Sequence, residues 1–440
     1  MIIKMNNKYM VVISLDAVSS KDIEIIKELP NISKLMKEGS LIKNVETIYP
    51  SLTYPAHVSI ITGKYPVNHG ITNNIVLNFK DENPNWNWYG NKIKGETLFG
   101  LAKKNGLTTA SVVWPVTGKM KIDYNMPEIF ETKPWHNQII MSALAGSKVY
   151  QFSMNKKFGS LRKGTKEPYL DNFVTACAKE TIKKYKPNLT MVHLIDVDSH
   201  RHDYGYESLE ALEALKRHDI RVGEIIQCLK EAGIYENTTL ILLGDHSAID
   251  THKVIRLNSA FREEGLIELK DGKLKSFKAI ARECGGSCYV YLDNKNKEDE
   301  KKCLEILKKL KEEGALEYIL NKEEAIKVRA NDQCDFMVEA TRGYYFSNEY
   351  EGKVIEETKD IKNEHTYKAV HGYSPRKKDY GTFFLAFGRG IKSGVVLEEG
   401  KLINHGPTLG RILGFNFQKA DGIVEAVSYT HLTLPTKLEV

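Results

Sequence analysis

The chain of 440 residues lacks the features that define several protein classes. No stretch reaches the ~20 consecutive apolar residues that a membrane span needs, so association with a membrane is not expected. A dense cysteine framework is also missing, because the six cysteines are scattered through helix-like and strand-like segments. Cys284 and Cys288 form one close pair, but no second pair completes a metal knuckle. Buried free thiols in a reducing compartment are therefore expected.

The sequence also lacks a long block of one charge sign. Its net charge of +6 at pH 7 is spread through lysine-rich helices, so nucleic-acid binding is not expected. A weakly positive field favours the approach of small anionic molecules instead. Residues 1–16 contain only a short apolar run, which leaves no room for a signal peptide. Together with the cysteine usage, this predicts a cytoplasmic location.

The C-terminal end has an unusual sequence. Residues 427–436 read VSYTHLTLPT, which is the translation of a common transposase sequencing adapter in one frame. We therefore expect residues 427–440 to be read-through from sequence assembly, with the native last residues missing and a natural polar tail as the alternative. This segment carries no weight in the fold prediction.

Short apolar runs alternate with helical patterns along most of the chain. Such alternation is typical of βαβ units, so it predicts one α/β domain over residues 8–426. The expected architecture is a three-layer α/β/α sandwich with a mostly parallel central sheet. The clearest strand and helix patterns are Lys8–Leu15, Tyr169–Lys184, Leu189–Ile195, Ser208–Ala232 and Thr238–Leu243.

Two stretches do not follow this alternation. Residues from about 268 to 366 carry a strand, a charged helix over Lys297–Glu313 and irregular pieces, which predicts an inserted cap region that shapes substrate choice. The polar and aromatic stretch Val76–Trp88 predicts a loop. Its Trp86 and Trp88, with Tyr89, either stack on a base or other apolar leaving group or pack in the core.

Residues of metal-binding and nucleophilic types follow several of the strand-like runs. In an open α/β sheet, ligands bind outside the carboxyl ends of the strands. Three carboxylates, three imidazoles and one hydroxyl at that edge indicate a two-metal hydrolase site, because two cations can clamp the entering and leaving oxygens of a phosphoryl transfer. Imidazole mixed with carboxylate favours Zn²⁺, with Mn²⁺ as the alternative. The candidate residues are Asp16, Thr53, Asp198, His202, Asp245, His246 and His371.

The order and spacing of these residues resemble the alkaline phosphatase superfamily, and most closely its nucleotide pyrophosphatase/phosphodiesterase branch. The resemblance extends from about Lys8 to Gly422, with the cap unmatched. It rests on P-S-L-T-Y-P-A-H around Thr53, D-S-H-R-H from Asp198, G-D-H up to His246 and H-G-Y from His371.

The resemblance implies two metal sites and a covalent mechanism. Asp16, Asp245 and His246 would hold one metal together with the Thr53 oxygen. The other metal would be held by Asp198, His202 and His371. Coordination would lower the pKa of the Thr53 hydroxyl, which would then attack phosphorus to give a phosphothreonine.

The resemblance also assigns a phosphoryl-binding role to Asn74, in the segment H-G-I-T-N-N, with Asn73 as the alternative. Ser51 is the local rival of Thr53, but the family places its nucleophile two residues before Pro in T-[FY]-P. One departure is D-V-D in place of the family's E-P-D, which leaves Asp196 as an alternative to Asp198.

Other nearby residues are given lesser roles. The spacing to His202 favours Asp198 as the ligand, and Asp196 could instead orient a ligand histidine. We expect His193 and His200 to have no chemical role, and His57 and His69 to form structural hydrogen bonds. These histidines lie close in sequence to the candidate residues.

The sequence thus predicts a hydrolase of phosphodiester or pyrophosphate bonds, with nucleotides as the small-molecule substrates. The absence of an arginine beside Thr53 argues against a site built for a dianionic monoester. A phosphonate or phosphomonoester hydrolase is the nearest alternative. A metal-dependent mutase of the superfamily would use Ser as nucleophile, and a sulfatase would need the C-x-P-x-R motif that is absent. A non-catalytic metal-binding protein is the alternative from another class.

Overall fold

Strands and helices alternate through most of the chain, as the sequence pattern predicts. The computed structural model describes residues 8–81, 83–293, 296–362 and 366–429. The strands are β1 Tyr9–Leu15, β2 Ser40–Glu46, β3 Thr109–Val112, β4 Tyr124–Met126, β5 Leu189–Leu194, β6 Thr238–Leu243, β7 Ile249–Asp250, β8 Lys253–Arg256, β9 Ile267–Lys270, β10 Lys273–Phe277, β11 Ala279–Glu283, β12 Ser287–Leu292, β13 Leu316–Asn321, β14 Phe336–Ala340, β15 Tyr344–Ser347, β16 Ile355–Glu357, β17 Ala369–Val370, β18 Thr382–Gly388 and β19 Val395–Lys401.

The α-helices differ widely in length. They are α1 Ile23–Ile26, α2 Ile32–Glu38, α3 Thr53–Thr62, α4 Pro66–His69, α5 Leu98–Lys104, α6 Gln138–Ala145, α7 Lys148–Phe158, α8 Tyr169–Tyr185, α9 Asp196–Tyr204, α10 Leu209–Glu231, α11 Leu257–Glu263, α12 Lys297–Glu312, α13 Lys322–Lys327 and α14 His405–Leu413. None of the helices in the described ranges has the length and apolar character to cross a bilayer.

The central sheet has eight strands in the order β19-β2-β18-β6-β1-β5-β3-β4. β1 lies between β5 and β6 and is parallel to both. β3 and β4 continue the parallel arrangement, whereas β18 runs antiparallel to its neighbours β6 and β2. The prediction of an α/β fold with a mostly parallel sheet is therefore confirmed.

The sheet is covered by helices on both faces. Successive side chains of a strand point to opposite faces, and β1 is apolar on both. Its Val11 and Ile13 pack in the core that contains residues of α8 and α10. Its Met10 and Val12 pack in the opposite core, which contains residues of α3, α5 and α14. This arrangement is the predicted three-layer sandwich.

Much of the region predicted as a cap forms a separate antiparallel sheet. β11, β12, β14 and β13 are neighbours in that order, and α12 matches the charged helix expected over Lys297–Glu313. Their apolar side chains share a core with Tyr49, Leu52 and Tyr373, which belong to segments beside the central sheet. The role of residues 268–366 as a cap stays a prediction, as does the single-domain boundary at 8–426.

The C-terminal segment is described only to residue 429. Val427 is buried, and the backbone N–H of Tyr429 donates to the carbonyl of Gly390. The remaining residues of the expected read-through, 430–440, lie outside the described residues, so that expectation stays a prediction.

Candidate active site

Three adjacent parallel strands deliver carboxylates to one edge of the central sheet. β1 ends at Leu15 and is followed by Asp16, β5 leads into Asp198 on α9, and β6 is followed by Asp245. Because the strands are parallel and in register, their carboxyl ends lie side by side. The sheet topology therefore gathers side chains that are far apart in sequence.

The first group of candidate ligands comprises Asp16, Asp245 and His246. One ligand atom from each lies within 4.8 Å of the others. The Nε2 atom of His246 is 3.3 Å from an oxygen of Asp16 and 3.3 Å from an oxygen of Asp245. All three residues are buried, so the charges are held away from water.

The second group comprises Asp198, His202 and His371, whose ligand atoms also lie within 4.8 Å of one another. Asp198 and His202 are four residues apart on α9, which places them on one face of the helix. His371 follows β17, and its ring stacks on that of His246 with centroids 4.0 Å apart. The two groups are therefore adjacent.

His371 is also tied to the antiparallel sheet. The backbone N–H of Gly286, in the turn between β11 and β12, donates to the carbonyl of His371 at 2.8 Å. The hydroxyl of Ser287 donates to the carbonyl of Gly372 at 2.7 Å. The position of one candidate ligand thus depends on a part of the fold outside the central sheet.

Backbone carbonyls orient all three candidate histidine ligands in the same way. In His202, the Nδ1 atom lies 2.8 Å from the carbonyl of Ala369. The Nδ1 atom of His246 lies 3.2 Å from the carbonyl of Ser247, and that of His371 lies 3.2 Å from the carbonyl of Ser51. A carbonyl only accepts, so Nδ1 carries the proton and Nε2 keeps its lone pair. This is the arrangement of metal-ligating imidazoles.

The first group fits a divalent cation. Oδ1 of Asp16, Oδ2 of Asp245 and Oδ1 of Asp198 are buried oxygens without a hydrogen-bond partner. Unpartnered buried carboxylate oxygens are costly, and here two of them face the lone pair of the His246 Nε2 atom. A cation held by Asp16 Oδ1, Asp245 Oδ2 and His246 Nε2 would satisfy these three atoms, and their mixed oxygen and nitrogen chemistry is suited to Zn²⁺.

The electrostatics of the carboxylates agree with this fit. Burial, together with the charge of Asp198, raises the pKa of Asp16 to about 7. Burial and the neighbouring Asp16 raise the pKa of Asp245 well above its usual value. Burial works against ionisation of Asp198 as well, but His202 and His371 hold its pKa well below the usual range. The protein alone therefore leaves the first group short of positive charge.

Thr53 lies beside the first group, as the first residue of α3. The preceding Leu52 is extended, and all ten residues of the helix are buried. The Thr53 hydroxyl oxygen is 3.1 Å from Nε2 of His246. The helix N-terminus favours negative charge there. Ser51 is placed differently, because its hydroxyl is buried against Tyr373 and Tyr380 and does not line the cavity of the site.

Asn74 lines the same cavity as Thr53. Its Oδ1 accepts a hydrogen bond from the backbone N–H of Tyr54 at 2.9 Å, which leaves the NH₂ group to face a ligand. Asn73 is engaged elsewhere, since its NH₂ group contacts Glu283 and Cys284 and its oxygen accepts from Ile75. The geometry favours Asn74 over Asn73 for the phosphoryl-binding role.

Asp196 belongs to a different group of charges from Asp198. Its carboxylate accepts from Arg217 at 2.7 Å and from Arg221 at 2.7 Å, and it contacts His200. It orients none of the three candidate histidine ligands, so that alternative is wrong. Together with Asp171, it forms a buried ion-pair network beneath α9.

Two contacts that His193 makes at the site were not predicted from the sequence. His193 lies within β5, where we expected no chemical role, but its Nε2 atom donates to Asp16 at 3.0 Å. Its Nδ1 atom is 3.5 Å from an oxygen of Glu128. Burial lowers the pKa of His193, but its hydrogen bond to Asp16 and the negative charges of Asp16 and Glu128 outweigh it and raise the pKa well above its usual value. His193 therefore positions a candidate ligand.

His57 also supports the site, as expected of a structural residue. Its Nδ1 atom lies 2.8 Å from the carbonyl of Thr53, and its Nε2 atom lies 3.0 Å from the hydroxyl of Ser14. His69 contacts the hydroxyl of Ser59 on the same helix as Thr53. Both histidines are fully buried and hold α3 in place.

A cavity of about 490 Å³ opens over the two groups. Its base is polar, and its walls are largely apolar. Trp86 lines it, whereas Trp88 is buried in a small core with Tyr54, and Tyr89 does not reach the cavity. Of the three aromatic residues predicted to stack or to pack, only Trp86 is placed for contact with a ligand. The apolar wall residues include Met126, Ile129, Phe130, Phe152, Leu170 and Phe173.

The chain belongs to the type I phosphodiesterase/nucleotide pyrophosphatase family, whose model matches residues 10–374. Human ectonucleotide pyrophosphatase/phosphodiesterase family member 1 is 31% identical over 228 residues, which are 50% of this chain and 21% of the human protein. Venom phosphodiesterase 2 of Crotalus adamanteus is 28% identical over 230 residues, which are 50% of this chain and 24% of the venom protein. The matched region thus spans about a quarter or less of these relatives.

Solved structures share the fold. Murine ectonucleotide pyrophosphatase/phosphodiesterase 5, solved as an inactive variant in complex with AMP, superposes with a TM-score of 0.66. The two are 17% identical, and the match covers 94% of this chain and 97% of the murine chain. The family resemblance inferred from the sequence motifs is confirmed, and so is the fold. The family is metal-dependent.

Proposed function

We propose that this protein is a metal-dependent hydrolase of phosphodiester or pyrophosphate bonds, with nucleotides as substrates and Thr53 as nucleophile. The observation that carries the proposal is the position of the Thr53 hydroxyl. It lies 3.1 Å from Nε2 of His246, at the base of a cavity that Asp16 of the first group and all three residues of the second group also line. Family membership and the names of the relatives agree with this activity.

The chain's own residues supply most of the steps. Asp16, Asp245 and His246 would hold one cation, and Asp198, His202 and His371 the other. Two bound Zn²⁺ ions, or Mn²⁺ ions, would supply the positive charge that lowers the pKa of the threonine hydroxyl and offsets the charge of the phosphoryl group. The α3 N-terminus stabilises negative charge at the same place.

The reaction would proceed in two displacements at phosphorus. The Thr53 oxygen forms a bond to phosphorus while the bond to the leaving oxygen breaks, which gives a phosphothreonine. The NH₂ group of Asn74 donates to a non-bridging phosphoryl oxygen, because Tyr54 fixes its other amide atom. A water molecule then attacks phosphorus and the bond to Thr53 breaks, which restores the hydroxyl.

The walls of the cavity support an aromatic or otherwise apolar leaving group. Trp86 and Phe130 contact each other edge to face, with ring centroids 4.9 Å apart, and both line the cavity. Flat apolar surfaces of this kind suit a nucleobase.

We also propose a cytoplasmic location, which the six free cysteines support. Cell fractionation tests this location.

The test compares hydrolysis of bis-p-nitrophenyl phosphate with that of p-nitrophenyl phosphate. We expect metal-dependent preference for the diester, loss of activity with chelator and recovery with Zn²⁺. Thr53→Ala should lower kcat by at least about a thousandfold, because the attacking atom is lost. Thr53→Ser is the matched control, since it keeps the hydroxyl and should retain measurable turnover.

Each other outcome identifies a different activity. Preference for the monoester would favour the phosphomonoester or phosphonate hydrolase. Full activity of Thr53→Ala would exclude Thr53 as nucleophile. Absence of turnover in a protein with two bound metal ions would favour a mutase or a non-catalytic metal-binding protein.

A further inference from the structure

Helices α6 and α7 expose an unusual amount of apolar surface. Nineteen large hydrophobic side chains are exposed among the described residues, and seven of them lie within residues 135–161. Single exposed apolar residues are normal, but a contiguous set is typical of an interaction surface. The seven, with their exposed fractions, are Trp135 77%, Ile139 70%, Ile140 57%, Leu144 64%, Val149 84%, Phe152 71% and Leu161 42%.

The same segment carries a strong positive charge. Residues 132–166 contain seven lysines and arginines and no aspartate or glutamate, so their charge exceeds the +6 of the whole chain. The expectation that the positive charge is spread through lysine-rich helices rather than gathered in one block is therefore wrong for this segment. Among the described residues, only Lys133 and Lys157 of the segment form ion pairs, with Asp81 and Glu180. The other five positive charges are not offset in this way.

The two helices are nevertheless anchored to the domain. The inner side of α7 buries Tyr150 and Met154 in the main core, and the Tyr150 hydroxyl contacts that of Thr181 on α8. Ala145, at the end of α6, is also buried. The exposed apolar residues therefore lie on an outer face of packed helices. We call this face, together with its basic residues over 132–166, the α6–α7 surface.

The α6–α7 surface borders the mouth of the cavity described above. Ile139 and Phe152 are about two-thirds exposed and also line that cavity. Lys148 and Arg162 line it as well. Whatever covers the outer face would therefore stand directly at the entrance of the candidate active site.

We propose that the α6–α7 surface docks on an anionic lipid bilayer. Exposed Trp, Phe and aliphatic side chains beside unpaired lysines and arginines match the interfacial zone, where apolar groups enter the acyl boundary and basic groups meet anionic headgroups. A second copy of the chain fits less well, because a two-fold contact would bring two sets of positive charges together. The proposal replaces the expectation of no membrane association and does not depend on the activity of the site.

The test is flotation of the full-length protein with lipid vesicles. We expect binding to phosphatidylcholine vesicles that contain about 30 mol% phosphatidylserine, weak binding to pure phosphatidylcholine, and release at high salt. The double variant Ile140→Glu, Val149→Glu should lose at least about tenfold in partitioning, because two exposed apolar groups that would enter the bilayer become charged. Lys156→Gln should lose about fivefold.

Leu209→Glu, Ile220→Glu is the matched control. These residues are 76% and 57% exposed on α10, outside the α6–α7 surface, so the double change adds the same charge at similar exposure. The control should bind vesicles like the wild type. Far-UV circular dichroism and thermal midpoints of both double variants confirm that they fold.

Three results would overturn the proposal. They are absence of binding to the anionic vesicles, equal binding to zwitterionic vesicles, and equal loss in the control variant. Concentration-dependent dimerisation that Ile140→Glu, Val149→Glu abolishes, without vesicle binding, would assign the surface to a second copy of the chain instead.

Discussion

His193 lies inside β5, yet its ring faces carboxylates from two other segments. It donates to Asp16 at 3.0 Å and is 3.5 Å from Glu128. Residues that orient a metal ligand typically contribute tenfold to a hundredfold to metal affinity. We therefore expect His193→Leu to weaken Zn²⁺ binding by about that factor, as measured by competition with a chromogenic chelator at fixed pH.

His200→Leu provides the control for this measurement. His200 also contacts an aspartate, but this is Asp196 in the ion-pair network and not a candidate ligand. Its replacement should leave Zn²⁺ affinity within about twofold of the wild type, since it removes no contact to the candidate ligands. Equal affinities of the His193 and His200 variants would contradict the positioning role.

The same residues show how far the sequence could predict the site. Asp198 and His202 were predictable because a four-residue spacing on a helix places both on one face. His193 was not, because Glu128 comes from a loop 65 residues earlier and the contact exists only after the sheet has formed. The spacing to His202 favoured Asp198 over Asp196 as the ligand, but the partners of Asp196, which are Arg217 and Arg221, could not be read from the sequence.

At the scale of elements, α3 holds Thr53 at the sheet edge, and the end of the helix fixes its position. It ends at Gly63, which has φ 65°, and a Cβ there would lie 2.6 Å from Cδ of Pro407. Gly63→Ala should lower the free energy of unfolding by about 2–3 kcal/mol, because the strain of the left-handed conformation adds to this clash. Urea denaturation measures the change.

Gly233→Ala separates the strain of the left-handed conformation from the steric clash. Gly233 has φ 69°, but a Cβ there meets no atom within 4 Å. Its replacement should cost about 1 kcal/mol from backbone strain alone. If both variants lose the same stability, the contact between α3 and Pro407 does not constrain the helix.

The elements themselves were predictable to different degrees. β1, β5 and β6 are buried on both faces, so their apolar runs stand out in the sequence. β4 has only three residues, and the edge strand β19 is largely exposed, so neither produces such a run. The chemistry of the site was predictable because it depends on the ends of the buried strands.

At the scale of the whole molecule, Glu339 links the antiparallel sheet to the segments around the site. It lies in β14 and accepts from Tyr49 at 2.9 Å and from the backbone of Ser374 at 3.0 Å. Burial raises its pKa from 4.5 to about 7, although Lys377 opposes the shift. The folded state therefore retains a proton that the unfolded state loses above pH about 4.5.

This pKa shift predicts the pH dependence of stability. Because the folded state binds the extra proton, the contribution of Glu339 is fully present below pH about 4.5 and is lost as the pH rises through about 7. Over this range, wild type loses stability and Glu339→Gln does not. We therefore expect the difference in the free energy of unfolding between them to shift in favour of the variant, by up to about 3 kcal/mol, in urea titrations. Glu317→Gln, which removes a more exposed partner of the same Lys377, is the matched control.

The hydrogen bond from Gly286 to His371 makes the antiparallel sheet part of a thermodynamic cycle. Any local opening of the β11–β12 turn would release a candidate ligand, so a cation that needs all three ligands of the second group favours the closed form. Added Zn²⁺ should therefore slow amide hydrogen exchange in β11 and β12, although neither strand contributes a ligand. His371→Ala should abolish this protection, and its persistence would contradict the linkage. Order in the antiparallel sheet would then report occupancy of a metal site at the edge of the central sheet.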